Sequence, residues 1–263
     1  DPELYCADLT YDGFTTRSYT FATRGDRTLV LEIDLPERGD ASGPRPFVVY
    51  VPGGSWRTCG IGAFRRQSAY LASQGIAGVR IVYSLVGDGA DFSAGLEELQ
   101  AARDLVAARA GELGLDTLRF GYVAASAGTP LAADEALSQA GCRFFVGYNG
   151  IYDLTRRIDG SRFPEEGTPY LAPFSDGELR DFSPVNRIGA DPPAVALFHG
   201  RADRTISWKQ SQLFCDAVRA ADGRAEIVLY DDARHGFFNY GKSDYHEEGT
   251  RKTAAFIFSV LGE

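Results

Sequence analysis

Three residues have the types and settings needed for acyl transfer. Ser126 lies in "VAASAG" (123–128), Asp203 in "FHGRADRTI" (198–206) and His235 in "DDARHGFFN" (231–239). An imidazole can take the proton from a serine hydroxyl as its oxygen attacks a carbonyl carbon, and a carboxylate can fix the tautomer of that imidazole and steady its charge. Ser126 is flanked by Ala124 and Gly128, small enough for a tight strand-to-helix turn that lifts a hydroxyl above a sheet. The plainer role for such a serine is to cap the helix that follows. A base decides between the two. Of the three histidines, His199 falls within a strand end and His246 at the start of the last helix, whereas His235 sits on the loop after the final strand. A lone loop histidine is commonly an inert surface group, so it too needs a partner. Asp203 follows its strand by three residues and is the expected carboxylate; alone it could merely cap a turn. Asp232, nearer to His235 in sequence, is the second candidate.

Acyl transfer also needs donors for the oxyanion. "VVYVPGGSWR" (48–57) provides a glycine-rich turn directly after a strand. The expected donors are the N–H of Ala127, which follows Ser126, and one from Gly54 or Ser55. Sequence does not separate these two from Gly53. No G-K-[ST] follows, so the loop is not a phosphate cradle.

The elements that must position these residues read as a parallel α/β architecture. "TRSYTFAT" and "TLVLEIDLP" flank a turn at Gly25 and predict an antiparallel hairpin. Short apolar runs at 46–51, 78–85, 118–125, 142–148, 194–200 and 225–230 suit strands buried on both faces. Between them lie helical patterns. Phe92, Leu96, Leu99, Ala102 and Val106 mark one helix face; "SWKQ" (207–210) reads as a capping box before Leu213, Phe214, Ala217 and Val218; and a last helix is expected over about 248–261. Strands alternating with helices predict a mostly parallel central sheet covered on both faces. Residues 152–192 are too long and polar for a simple crossover. They are expected to form a lid-like insertion in a single domain spanning 1–263, with Tyr152, Phe163, Tyr170 and Phe174 as walls and Arg156, Arg157 and Arg162 as polar contacts, or else a solvated loop held by aromatic anchors.

Composition sets outer bounds. The net charge of −9 and the lack of a basic cluster argue against nucleic acid. No apolar run approaches the ~18–20 residues of a membrane span, so the chain reads as soluble. The four cysteines, Cys6, Cys59, Cys142 and Cys215, form no C-x-x-C pair, and with three histidines a metal site is not expected. They could pair as disulfides or stay as buried thiols. The chain begins Asp1-Pro2 and contains no methionine, so either a leader has been removed, which favours a secreted or periplasmic protein, or the sequence has been trimmed.

The order Ser126, Asp203, His235, each just past a different strand, together with "PGGSW", "AASAG", "DPPAVALFHGRADRTI" and "ARHGFFN", resembles the α/β-hydrolase superfamily. In particular it resembles small esterases with an H-G-G-G-W oxyanion loop, of the hormone-sensitive-lipase-like and carbohydrate-esterase-like kinds. The resemblance runs from about residue 28 to the C-terminus. It departs at Pro52, where the family usually has histidine, and at Ala124, where the elbow usually has glycine; neither removes a reacting group. The resemblance implies an α/β-hydrolase fold and a serine esterase acting through an acyl-enzyme, without metal or organic cofactor. Its substrate would be a small-molecule or saccharide ester carrying a short acyl group, acetyl esters of sugars or plant polysaccharides among them. Two rivals share the fold: a prolyl-oligopeptidase-like peptidase, which normally carries an additional gating domain, and a non-catalytic binding protein, which would usually have lost a triad member.

Overall fold

The computed structural model describes residues 11–37, 43–155, 158, 161–163, 168–239, 241 and 244–262. Eight strands form one sheet in the order β1-β2-β4-β3-β5-β6-β7-β8. The hairpin of β1 (Phe14–Arg24) and β2 (Arg27–Pro36) lies at one edge, and β2 pairs antiparallel with β4 (Ala77–Ile81). From there β3 (Arg45–Val51), β5 (Leu115–Ala125), β6 (Cys142–Tyr148), β7 (Ala194–Gly200) and β8 (Ala225–Tyr230) continue in parallel. Every parallel strand therefore ends at the same edge, where the loops carrying function collect.

Apolar side chains leave both faces of this sheet, and each face has its own helix layer. On one, α2 (Phe92–Leu113), α3 (Thr129–Ser138) and α5 (Lys209–Ala220) bury Phe92, Leu99, Leu131, Phe214 and Val218 against the strands. On the other, α1 (Arg65–Ser73) and α6 (Tyr245–Leu261) bury Leu71, Phe256 and Ile257. The short α4 (Asp176–Phe182) belongs to the insertion and opens with a capping box between Ser175 and Glu178.

Three local expectations differ from the outcome. The strand expected over 78–85 stops at Ile81; Tyr83 and Ser84 leave the ladder, and Tyr83 donates its hydroxyl to the Pro52 carbonyl at 2.9 Å. The last helix begins at Tyr245, earlier than expected, and its first turn includes buried His246. The capping box at 207–210 does not form, because the Gln210 side chain is used elsewhere. Its Oε1 accepts the N–H groups of Tyr152 and Asp153 at 3.0 and 2.8 Å, and its Nε2 donates to the Asp153 carbonyl at 3.0 Å. A side chain that satisfies three buried backbone groups of the insertion avoids the cost of leaving them unpaired.

The first half of segment 152–192 is pinned where it is described. Tyr152 stacks on Phe214 with ring centroids 4.5 Å apart, and Tyr170 stacks on Trp56 at 5.3 Å. The N–H groups of Arg162 and Phe163 bond to the carbonyls of Arg204 and Thr205, both at 3.0 Å. The aromatic anchors thus hold this segment against the sheet edge. Arg156 and Arg157 lie outside the described residues, as does Cys6; Cys59, Cys142 and Cys215 are free thiols. Burial pushes the Cys59 thiol up to about 11 and the Cys142 thiol up to about 12.

Candidate active site

Ser126 opens the turn from β5 into α3 in a left-handed conformation, φ 49°, which an L side chain adopts only under constraint. The turn is tight because the end of β3 crosses it. A Cβ on Gly128 would lie 2.4 Å from the Pro52 carbonyl oxygen, so no larger residue fits. Ala124 is accommodated two positions before Ser126. It pairs across the ladder with Gly147 on one side and Val51 on the other, so only one cross-strand neighbour brings a side chain.

The structure brings Ser126, His235 and Asp203 together. Ser126 Oγ is 3.0 Å from His235 Nε2, and His235 Nδ1 is 2.7 Å from Asp203 Oδ2. Because Nδ1 faces a carboxylate it carries the proton, which leaves Nε2 to accept from the Ser126 hydroxyl. Asp203 is fully buried, and its Oδ1 accepts the N–H groups of Thr205 and Ile206 at 2.8 and 3.0 Å. Burial alone would raise its carboxyl. Hydrogen bonds from His199 and His235 outweigh that, and it is held well below the usual carboxylate range. The His199 contact was not anticipated from sequence. His199 Nε2 lies 3.4 Å from Asp203 Oδ2 and 3.0 Å from the Ile206 carbonyl, while Nδ1 is 2.8 Å from Ser211 Oγ. The second candidate, Asp232, is exposed and accepts from the Tyr245 hydroxyl.

The loop after β3 keeps its left-handed path over three residues: Gly54 at φ 128° and Ser55 and Trp56 both at φ 54°. Gly54 is obligatory, since a Cβ there would sit 1.9 Å from the Thr58 carbonyl oxygen. Its own carbonyl accepts the N–H groups of Arg57 and Thr58 at 2.9 and 3.0 Å, while those of Gly54 and Ser55 have no protein acceptor among the described residues. Ala127 lies in the 3₁₀ turn Ser126–Gly128, whose opening N–H groups have no partner within the turn. Pro52, in place of the familiar histidine, keeps the loop attached through its carbonyl and the Tyr83 hydroxyl. Gly53 packs directly on Ala125 and Ser126, at 2.9 Å from each for an added Cβ.

Two cavities meet at Ser126. A small one of about 120 Å³ is lined by Ser55, Ala127, Ile151, Arg162, Phe163 and Ile206, among others. A larger one of about 510 Å³ holds His235 and is bounded by Gly53, Phe64, Asn149, Phe238 and Asn239, among others. Of the insertion residues expected as walls, Phe163 lines the small cavity, and Arg162, expected as a polar contact, lines it too; Tyr152, Tyr170 and Phe174 are packing anchors instead. Among the described residues, no group of three His, Cys, Asp or Glu side chains is placed to hold a metal ion.

Two family models match the chain, BD-FAE over residues 31–153 and the dienelactone hydrolase family over residues 186–263. The isoprenylcysteine alpha-carbonyl methylesterase of Arabidopsis thaliana is 28% identical over 259 residues, covering 83% of this chain and 58% of its own. A probable carboxylic ester hydrolase of Mycobacterium tuberculosis, LipM, is 28% identical over 211 residues, covering 68% of this chain and 46% of its own. The chain thus spans about half the length of these curated relatives. Esterase 2 of Thermogutta terrifontis, in a structure phosphonylated by sarin, superposes with a TM-score of 0.83 at 22% identity, over 96% of this chain and 98% of that one. Its propionate-bound form gives a TM-score of 0.77 at 24% identity, over 95% of each chain. With an eight-stranded, mostly parallel sheet, a serine on a strained turn after β5 and these structural matches, the chain has the α/β-hydrolase fold.

Proposed function

We propose that the protein is a serine carboxylic-ester hydrolase with Ser126 as nucleophile, His235 as general base and acid, and Asp203 as the group that orients and charges the imidazole. The observation that carries this reading is the continuous pair of hydrogen bonds from Ser126 through His235 to Asp203. His235 takes the Ser126 proton as Oγ attacks the ester carbon. The N–H of Ala127, with Gly54 or Ser55, receives the oxyanion, and His235 then protonates the departing alcohol. Water resolves the acyl-enzyme by the same steps in reverse order.

His235 must reach the leaving oxygen, so the alcohol belongs in the large cavity and the acyl chain in the small one. A pocket of about 120 Å³ suits an acyl group of a few carbons, and one of about 510 Å³ has room for a bulkier alcohol such as a sugar. The reading therefore favours short acyl esters, acetylated sugars and polysaccharides included, with the insertion 152–192 shaping the acyl side. The Thermogutta esterase has been solved with propionate and with butyrate bound, and short acids of that size are what this reading expects. The test is hydrolysis of p-nitrophenyl acetate, butyrate and octanoate by the protein and by Ser126→Ala. Turnover falling steeply at octanoate and vanishing in the variant is expected. Turnover that survives in the variant would overturn the nucleophile, and a protein inert to every ester would favour a non-catalytic binding role.

A further inference from the structure

Asn149 follows β6 directly. Tyr148 before it pairs with Ala125, so Asn149 and Ser126 stand side by side one residue beyond paired positions. Its φ is 38°, a left-handed value that Asn tolerates better than most residues, and its N–H is fixed at 2.8 Å from the Phe198 carbonyl. The residue is fully buried, yet among the described residues neither Oδ1 nor Nδ2 of its amide has a hydrogen-bond partner. A buried amide left this way destabilises the fold, and groups of this kind call for a functional explanation. Asn149 borders the large cavity, together with Ser126 and His235.

We propose that Asn149 holds the water that releases the acyl group from Ser126; this rests on the acyl-enzyme reading above. Once the alcohol has left, water must attack from the place it vacated, on the His235 side, because the imidazole that protonated the alcohol must now deprotonate the water. One water O–H donates to His235 Nε2. The other donates to Asn149 Oδ1, which turns a lone pair of the oxygen toward the acyl carbon. The new C–O bond forms as His235 takes the first proton. The tetrahedral intermediate then collapses with cleavage of the C–Oγ bond, and His235 returns its proton to Ser126 Oγ. The carboxylic acid departs with both water hydrogens accounted for, one passed through His235 to the serine and one kept on the acid. Asn149 thus serves water and not a simple alcohol: methanol has one O–H, which His235 claims.

Competition between water and methanol for the butyryl-enzyme tests this. The ratio of methyl butyrate to butyric acid is counted only by molecules that acylate, so partial loss of folded protein leaves it unchanged. Asn149→Gly keeps the left-handed backbone and removes the amide; Asn149→Ser restores a short hydroxyl at the same place. The ratio is expected to rise about tenfold in Asn149→Gly, the order of effect of one hydrogen bond, and to fall back part of the way in Asn149→Ser. An unchanged ratio in both variants, with p-nitrophenol release intact, would overturn the role of Asn149 and leave the nucleophile assignment standing. Absence of acylation in the unaltered protein would instead overturn that assignment.

Discussion

Asp203 is gripped from two sides, with His235 in front and His199 behind, and its second oxygen takes two backbone N–H groups. A carboxylate held this way stays ionised and fixes the His235 tautomer. Asp203→Asn is expected to fold and to lose about 10⁴-fold in kcat, because the amide can present N–H to Nδ1 and invert the tautomer. Ser126→Ala should cost at least as much with little change in thermal stability, since alanine keeps the Cβ and the same left-handed backbone. Steady-state kinetics beside circular dichroism melts would check both. The three residues were legible in the sequence because each lies on a segment within a few residues of a strand ending at one edge. Asn149 was not: an Asn-Gly pair after a strand reads as a turn, and its meaning lies in an amide with no partner, which only packing reveals.

At the scale of elements, the glycine-rich loop after β3 is held by its glycines and by Tyr83. Gly54→Ala must either shift Thr58 or rotate the loop, so a loss of about 10²–10³-fold in kcat is expected, the amount associated with losing one oxyanion donor. Tyr83→Phe removes the hydroxyl that holds Pro52, and should cost about 1 kcal/mol of stability with a smaller fall in kcat. Chemical denaturation of the two variants separates these outcomes. The strands and the longest helices were readable from periodicity, since each buries one face or both, whereas α1 and the exposed α4 were not. Two of the three errors fell where a side chain serves a distant partner: Gln210 abandons its cap to satisfy the insertion, and Tyr83 leaves its strand to support the loop. Neither partner is close in sequence, so no local pattern marks them.

For the whole molecule, the parallel sheet gathers its strand ends into one crevice and leaves the two helix layers to supply the core. Its response to acid follows from buried groups. Burial pushes the His246 imidazole below its ordinary value, so below about pH 6.5 the unfolded chain binds more protons than the folded one and stability falls. The depressed Asp203 carboxyl acts in the same sense below about pH 4, where the unfolded chain takes a proton that the folded one resists. Asp134 and Glu135, raised by burial, oppose this trend over the carboxylate range. Melting temperature should therefore begin to drop below about pH 6.5, and His246→Gln should flatten that first drop.

The central claim is that Ser126 is an activated nucleophile. The most direct measurement is mass spectrometry of the protein after incubation with a phosphonate that labels active serines. A single adduct on the peptide carrying Ser126, lost in His235→Ala, is the predicted result. No adduct, or one on another residue with Ser126 unmodified, would contradict the account.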